Sequence, residues 1–277
     1  MKKIVTMQDI SCVGKCSLTV ALPVISAIGI ETAVIPTAVL STHTMFHNFT
    51  FHDLTSEIKP IIHHWKKEHF HFDAVYTGYL GSLDQVKLAM KLFDTFGQGI
   101  KLVDPCMADN GTLYAGFTEE FAAAMRKLCA KADIIVPNMT EACFLLDIPY
   151  QTEYDEKYIR TVLRKLTNLG CADAILTGVS LQKGKIGAYS YDSRHNRYVS
   201  YFTSEEPVHF HGTGDLFAST FIGCLVCGKT PERSLEIACN FVKKSIHLTL
   251  AEEDHNNYGV NFEQALPSLL RALHKEK

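Results

Sequence analysis

The sequence predicts an α/β fold, a three-layer sandwich with a mostly parallel central sheet, helices on both faces and an antiparallel edge hairpin. Short apolar runs that end in polar or glycine residues recur along the chain, each followed by a segment of helical period. That alternation marks repeated β-loop-α units and hence parallel strands. From Lys185 the rhythm changes to two alternating runs separated by Asp192-Ser193-Arg194-His195-Asn196, the pattern of an antiparallel hairpin. No internal repeat or low-complexity linker interrupts the chain, so residues 1–277 are expected to form one domain.

The elements follow in order. Lys3 to Met7 is an apolar run expected as a buried strand, with Asp9 to Ser17 as a loop of small residues beyond it. Leu18, Leu22, Ile25 and Ile28 then recur at helical spacing until Gly29. Thr32 to Thr37 is a second strand, the polar cluster Ser41-Thr42-His43-Thr44 follows, and residues 53 to 68 form a helix with a charged face. Phe72 to Thr77 is a strand leading through Gly78-Tyr79-Leu80-Gly81-Ser82 into a helix over 83 to 96. Ile100 to Val103 runs into Asp104-Pro105, a helix covers 118 to 131, and Ile134 to Val136 runs into Pro137-Asn138-Met139-Thr140-Glu141. A helix over 155 to 169 leads to the strand Ala174 to Leu176 and then to Thr177-Gly178. The hairpin pairs Lys185 to Tyr191 with Arg197 to Phe202. Leu216 to Cys227 is apolar on nearly every side and is expected as a central buried helix. Thr230-Pro231 supplies a cap and first-turn proline for the next helix, and Asn261 to Lys277 forms the last amphipathic one.

Composition narrows the function. With 27 Lys+Arg against 30 Asp+Glu and no basic block, neither a nucleic-acid nor a membrane-surface partner is expected. The apolar stretch near Met1 is too short for a signal-peptide core, and no run approaches a membrane span. Nine cysteines, an odd number scattered through strands and helices, fit a reducing cytoplasm better than a disulfide framework.

Chemistry concentrates at the ends of the expected strands, where open parallel sheets bind ligands. Gly212-Thr213-Gly214 is a turn whose backbone N–H groups, with the dipole of the following helix, suit an anion. Asp215 stands beside that anion, as a proton acceptor for an attacking hydroxyl or simply as a helix N-cap. Asp104 and Glu141 follow other strands; they suit Mg²⁺, held directly or through water, though each alone also fits an ordinary loop aspartate or helix-start glutamate.

Asp104-Pro105-Cys106-Met107, Asn138-Met139-Thr140-Glu141 and Gly212-Thr213-Gly214-Asp215 resemble, in order and separation, the motifs of the ribokinase superfamily, and the resemblance spans nearly the whole chain. Gln8, Ser41-Thr42-His43-Thr44 and Thr77-Gly78-Tyr79-Leu80-Gly81-Ser82 are similar to the substrate loops of its pyridoxal and pyridoxamine kinases, which phosphorylate the 5′-hydroxyl of vitamin B6 compounds. The resemblance implies a ribokinase-like kinase using ATP and Mg²⁺, admits a monovalent cation, and implies a homodimer. It makes Asp215 the base and Gly212, Thr213 and Gly214 the anion hole. Asp104, Asn138, Glu141 and Thr177 fall on the nucleotide side, with Asp104 and Glu141 organising the metal. Asp9, Ser11, His43, Thr44 and Tyr79 fall on the substrate side. Three positions are particular to this chain: Asp9 stands where pyridoxal kinases usually carry serine, Thr177-Gly178-Val179 where several relatives carry a lysine, and Asp215 where some relatives carry cysteine. A hydroxymethylpyrimidine kinase and a catalytically silent metabolite-binding protein of the same fold are the alternatives.

Other features are expected to be structural. His63, His64, His69 and His71 match no zinc spacing and fit a solvated helix face and loop. His209 and His211 flank the glycine turn and fit either ligand contact or strand alternation. Cys224 and Cys227 fall inside an apolar helix, where core packing is expected rather than redox chemistry. Gly14-Lys15 lacks the rest of a Walker phosphate loop.

Overall fold

The computed structural model describes residues 1–206, 208 and 210–274. In chain order the elements are β1 (Lys3–Ser11), α1 (Leu18–Ala27), β2 (Glu31–Leu40), β3 (Phe51–Asp53), α2 (Thr55–Lys67), β4 (Ala74–Thr77), α3 (Leu83–Phe96) and β5 (Ile100–Val103). A small separate pair, β6 (Ala108–Asp109) and β7 (Thr112–Leu113), precedes α4 (Glu119–Cys129), β8 (Ile134–Ile135), α5 (Met139–Leu146) and α6 (Glu156–Thr167). The chain continues through β9 (Asp173–Gln182), β10 (Lys185–Asp192), β11 (Arg197–Ser204), α7 (Thr213–Val226), α8 (Pro231–Leu250) and α9 (Phe262–His274).

The main sheet has the order β11-β10-β9-β8-β5-β4-β1-β2-β3. Its centre, from β2 through β1, β4, β5 and β8 to β9, is parallel. Both faces are buried, because successive residues of each strand feed opposite layers. Val5, Met7, Val75 and Val103 pack with α2 to α6, whereas Ile4, Ala74, Tyr76 and Leu102 pack with α1, α7 and α8. Complete burial of each such aliphatic side chain contributes about 1.5–3 kcal/mol. Local signals set the helix starts: Ser82 accepts from Gln85 N, Thr118 from Phe121 N and Asp155 from Tyr158 N.

Several expectations change. β1 runs on through Asp9 and Ser11, so these residues sit on a strand and not in a loop. The register shifts between Gln8 and Ile10, opposite Pro36, whose missing N–H interrupts the ladder. The antiparallel section is not a lone hairpin: β9 also pairs antiparallel with β10, and β3 adds an antiparallel strand at the other edge. Leu22 is 41% exposed, although its spacing puts it on the face of the buried Leu18 and Ile25. Cys224 is buried, but Cys227 lies at the exposed helix end, so the pair does not share a core environment. His209 and residues 275–277, at the end of the expected tail helix, lie outside the described residues. Among the described residues no helix is long and apolar enough to cross a membrane.

Candidate active site

The parallel strands end on one side of the sheet, and α7 begins there. β1 delivers Asp9 and Ser11, the turn after β4 Tyr79, the turn after β5 Asp104, the N-cap and first turn of α5 Asn138 and Glu141, and β9 Thr177. With His43, Thr44 and Gly212 to Asp215 they line a single cavity of about 960 Å³. Residues up to 206 positions apart thus meet at the site, as the switch from strand to loop in an open α/β sheet requires.

Gly212, with φ 75° and ψ 0°, is the N-cap of α7, and Thr213 Oγ1 donates to Phe210 O at 3.1 Å. Asp215 lies inside the first helical turn, so the N-cap reading of this residue does not hold. Its side chain is buried, and among the described residues Oδ1 has no hydrogen-bond partner. Burial pushes its pKa up to about 7, opposed by the Ser17 backbone N–H and reinforced by the Asp9 carboxylate. A carboxylate poised near neutrality, with a free oxygen at a cavity wall, can accept a proton from a bound hydroxyl.

The second group of carboxylates is held by backbone. Glu141 Oε1 accepts from Met107 N and Oε2 from Asn138 N, both at 2.9 Å, while Asn138 Oδ1 accepts from Glu141 N at 2.9 Å. This capping box, together with Asn138 Nδ2 donating to Ala108 O at 2.9 Å, ties the segment after β5 to the start of α5. Asp104 Oδ1 accepts from Cys106 N at 3.3 Å, and Oδ2 lies 3.9 Å from where a Cβ on Gly214 would be. Burial, then Glu141 and Asp215, pushes Asp104 well above the usual carboxylate range; burial lifts Glu141 to about 7. Crowded carboxylates of this kind fit a hard divalent cation that takes its remaining ligands from water and phosphate. Asp104 has the freer oxygen for direct contact, whereas Glu141 is already engaged by N–H groups and suits a water-mediated one. Among the described residues no three His, Cys, Asp or Glu side chains form a metal cage.

In the same cavity, Asp9 and Ser11 are buried and Ser11 Oγ donates to Asp9 Oδ2 at 3.4 Å. Burial raises the Asp9 pKa against the hydrogen bonds from Ser17 and Ser11. His43 and His211 face each other with ring centroids 4.6 Å apart, and burial followed by the His211 charge lowers His43 to about 4, so His43 is neutral at pH 7. Tyr79 packs 5.6 Å from Phe117, and burial, then Asp9, pushes its hydroxyl up to about 12. Thr44 is an exposed residue of the rim, and Thr177 is anchored by its N–H to Pro137 O at 3.0 Å. Gln8 donates from Nε2 to Thr6 Oγ1 at 2.6 Å and leaves Oε1 buried without a partner among the described residues.

Some wall residues carried no readable signal. Lys243, Val242 and Ile246 reach the cavity from α8, joining Ile186 and Ala188 of β10. Lys243 places a cation in the cleft whose Thr177-Gly178-Val179 segment lacks one. Nothing local distinguishes it from any solvated helix lysine. Ser17, expected only as the end of a loop of small residues, also lines the cavity.

The family model described as phosphomethylpyrimidine kinase matches residues 21–261. A candidate phosphomethylpyrimidine kinase from Bacteroides thetaiotaomicron VPI-5482, in a crystal form with pyridoxal, is 39% identical with a TM-score of 0.93, covering 97% of this chain and 95% of that one. Pyridoxal kinase from Lactobacillus plantarum is 30% identical with a TM-score of 0.91, covering 98% of this chain and 97% of that one. The hydroxymethylpyrimidine/phosphomethylpyrimidine kinase of Bacillus subtilis (strain 168) is 26% identical over 64% of this chain, and the chain spans 65% of that relative's length. A match over most of the chain, on a ribokinase-like frame, places this chain in the phosphomethylpyrimidine kinase family of the ribokinase superfamily.

Proposed function

We propose that residues 1–277 act as one kinase domain that transfers the γ-phosphoryl group of ATP to the 5′-hydroxyl of a vitamin B6 compound, pyridoxal, pyridoxine or pyridoxamine. The observation that carries this reading is Asp215: a buried carboxylate with an unpartnered oxygen, in the first turn of a helix that starts on a glycine turn. Asp215 takes the hydroxyl proton as the substrate oxygen bonds to phosphorus and the bond to the ADP oxygen breaks. The N–H groups of Gly212, Thr213 and Gly214 hold the transferring group's charge, an effect worth about 3 kcal/mol per key donor. Asp104 and, through water, Glu141 would hold Mg²⁺, which when bound offsets the phosphate charge. Asn138 keeps Glu141 in place, and Thr177 and Lys243 line the nucleotide side. Asp9, Ser11, His43, Thr44 and Tyr79 receive the pyridine ring; the pyridoxal-bearing relative at 39% identity supports this ring over other acceptors.

A hydroxymethylpyrimidine kinase is the second reading, favoured by the family description and the Bacillus subtilis relative. Phosphate transfer from ATP to each B6 vitamer and to hydroxymethylpyrimidine, with and without Mg²⁺, separates them. The expected result is Mg²⁺-dependent turnover with the highest kcat/KM on a vitamer. Higher kcat/KM on the pyrimidine selects the second reading, and no ATP consumption on the whole panel selects a silent binding protein.

Asp9 supplies a further prediction. A carboxylate facing the ring favours a protonated pyridine nitrogen, so KM for pyridoxal should depend on pH through Asp9 and the ring together. Replacement by serine, as in Asp9→Ser, should flatten that dependence; a KM profile unchanged from the parent between pH 5 and 8 would remove the role.

A further inference from the structure

We infer that Gln85 is a positioning residue: it fixes the turn that carries Tyr79 and the strand that carries Phe51 against one another, so that the two rings form one aromatic wall for the acceptor. This rests on the kinase reading above and adds two residues to it. Tyr79 and Phe51 line the cavity, whereas Gln85 does not. Gln85 is 1% exposed and lies in the first turn of α3.

Ser82 and Gln85 have the spacing of a capping box, in which the glutamine side chain reaches back to the N–H of the N-cap residue. One bond of that box is made, Ser82 Oγ accepting from Gln85 N at 3.2 Å. The other goes elsewhere. Gln85 Oε1 passes Ser82 and accepts from Gly81 N at 2.7 Å, inside the turn 78–82. Its Nε2 donates to Thr37 O on β2, and to Asp53 Oδ1 and Thr55 Oγ1 where β3 meets α2, each at 3.0 Å. The amide orientation is forced. Reversed, it would set NH₂ against the Gly81 N–H, and oxygen against a carbonyl and a carboxylate.

Both anchored segments depend on such a tie. β3 has only three residues, all exposed, and sits at the sheet edge beside β2. The turn 78–82 is pinned at its start, where Gly78 N donates to Met7 O at 3.3 Å and a Cβ on Gly78 would stand 2.7 Å from Gln8 Oε1. Gln85 pins its end. Between the two pins Leu80 is buried and Tyr79 reaches the cavity. The rings of Tyr79 and Phe51 converge on Gly81, where an added Cβ would lie 3.7 Å from Tyr79 Cε1 and 4.0 Å from Phe51 Cζ. Phe51 is 49% exposed, an apolar face on the cavity that a flat aromatic acceptor would cover.

Gln85→Met keeps the side-chain length and helix propensity but removes the bonds to Gly81, Thr37, Asp53 and Thr55. It should lower kcat/KM for pyridoxal about tenfold and leave KM for ATP within about twofold of the parent, because the misplacement is confined to the ring side. Phe51→Ala should lower kcat/KM for pyridoxal by about three- to tenfold, the usual worth of an aromatic contact. The decisive measurement is the cycle: with both rings removed, in Phe51→Ala/Tyr79→Leu, Gln85→Met should change kcat/KM by less than about twofold. If Gln85→Met does not fold, Thr55→Val runs the same cycle from a half-buried helix start, with an expected loss of about threefold in the parent and no loss without the rings. An equal effect with and without the rings, a KM for ATP that rises in step, or parental kcat/KM in Phe51→Ala overturns the inference while leaving the kinase reading intact. Absence of vitamer turnover in the parent enzyme overturns the kinase reading, and this inference with it.

Discussion

Asp215→Asn should keep binding of ATP and of the vitamer while kcat falls by about 10²–10⁴-fold, the range for loss of a general base. The amide has nearly the shape of the acid, so the first turn of α7 and the cavity wall are retained. It cannot accept the hydroxyl proton. Because burial raises the parent acid to about 7, kcat/KM of the parent should climb with pH through about 7 as the base ionises, and the variant should lose that limb. The sign for stability is opposite. An acid whose folded-state pKa is raised from 3.8 to about 7 favours the fold when protonated; that contribution is complete below 3.8 and is lost as pH rises through about 7. Ligand-free Asp215→Asn should therefore match or exceed the parent Tm at pH 8, a gain in stability at the expense of activity. Single-turnover kinetics and a Tm profile over pH 4 to 8 check both halves, and near-parental kcat would remove Asp215 as the base.

The frame that places Asp215 was legible where the pattern was strong. The helix Leu83–Phe96 and the strand Ile100–Val103 match the expected bounds, because a long periodic face and a short apolar run between turn residues admit few other structures. The continuation of β1 through Asp9 and Ser11 was not legible: polar residues after an apolar run read as loop, and only pairing with Val39 and Leu40 shows that the ladder continues. β3 has three residues and α5 eight, too short for periodicity to speak. Asp9, Ser11, His43, Thr44, Tyr79, Asp104, Asn138, Glu141, Thr177 and the turn from Gly212 to Asp215 lie at one cavity, because chemistry at strand ends is dictated by topology once the strands are known, whereas Gln8 does not line it. Ser17 and Lys243 escaped because their residue types are ordinary for a helix start and a helix face. What singles them out is a place on the cavity wall, which three-dimensional packing alone decides.

Gly212→Ala should be the most damaging single-methyl change in the chain, and Gly214→Ala a selective one. At Gly212 the backbone is left-handed at φ 75°, which costs an alanine about 1–2 kcal/mol before any contact is counted. Its Cβ would stand 1.9 Å from Lys15 O and 3.0 Å from Lys15 C, backbone atoms of a clamped segment that cannot swing aside as a side-chain end would. The turn, the Lys15 segment and with them Asp215 must shift, so both Tm and kcat/KM should fall, the latter by about 100-fold or more, since near-ångström misplacement has that effect. At Gly214 the nearest atom to an added Cβ is Asp104 Oδ2 at 3.9 Å, ordinary contact distance, and φ is not positive. The fold accepts that methyl. The space it fills lies between the helix start and Asp104, where the transferring phosphoryl group belongs, so Gly214→Ala should keep the parent Tm and lose affinity for ATP-Mg²⁺ and turnover. Thermal melts beside ATP-dependent kinetics on the two variants decide the matter. If Gly214→Ala keeps parental kcat and KM for ATP, the glycine turn is there for the backbone bend at Gly212 alone and the phosphoryl site must lie elsewhere.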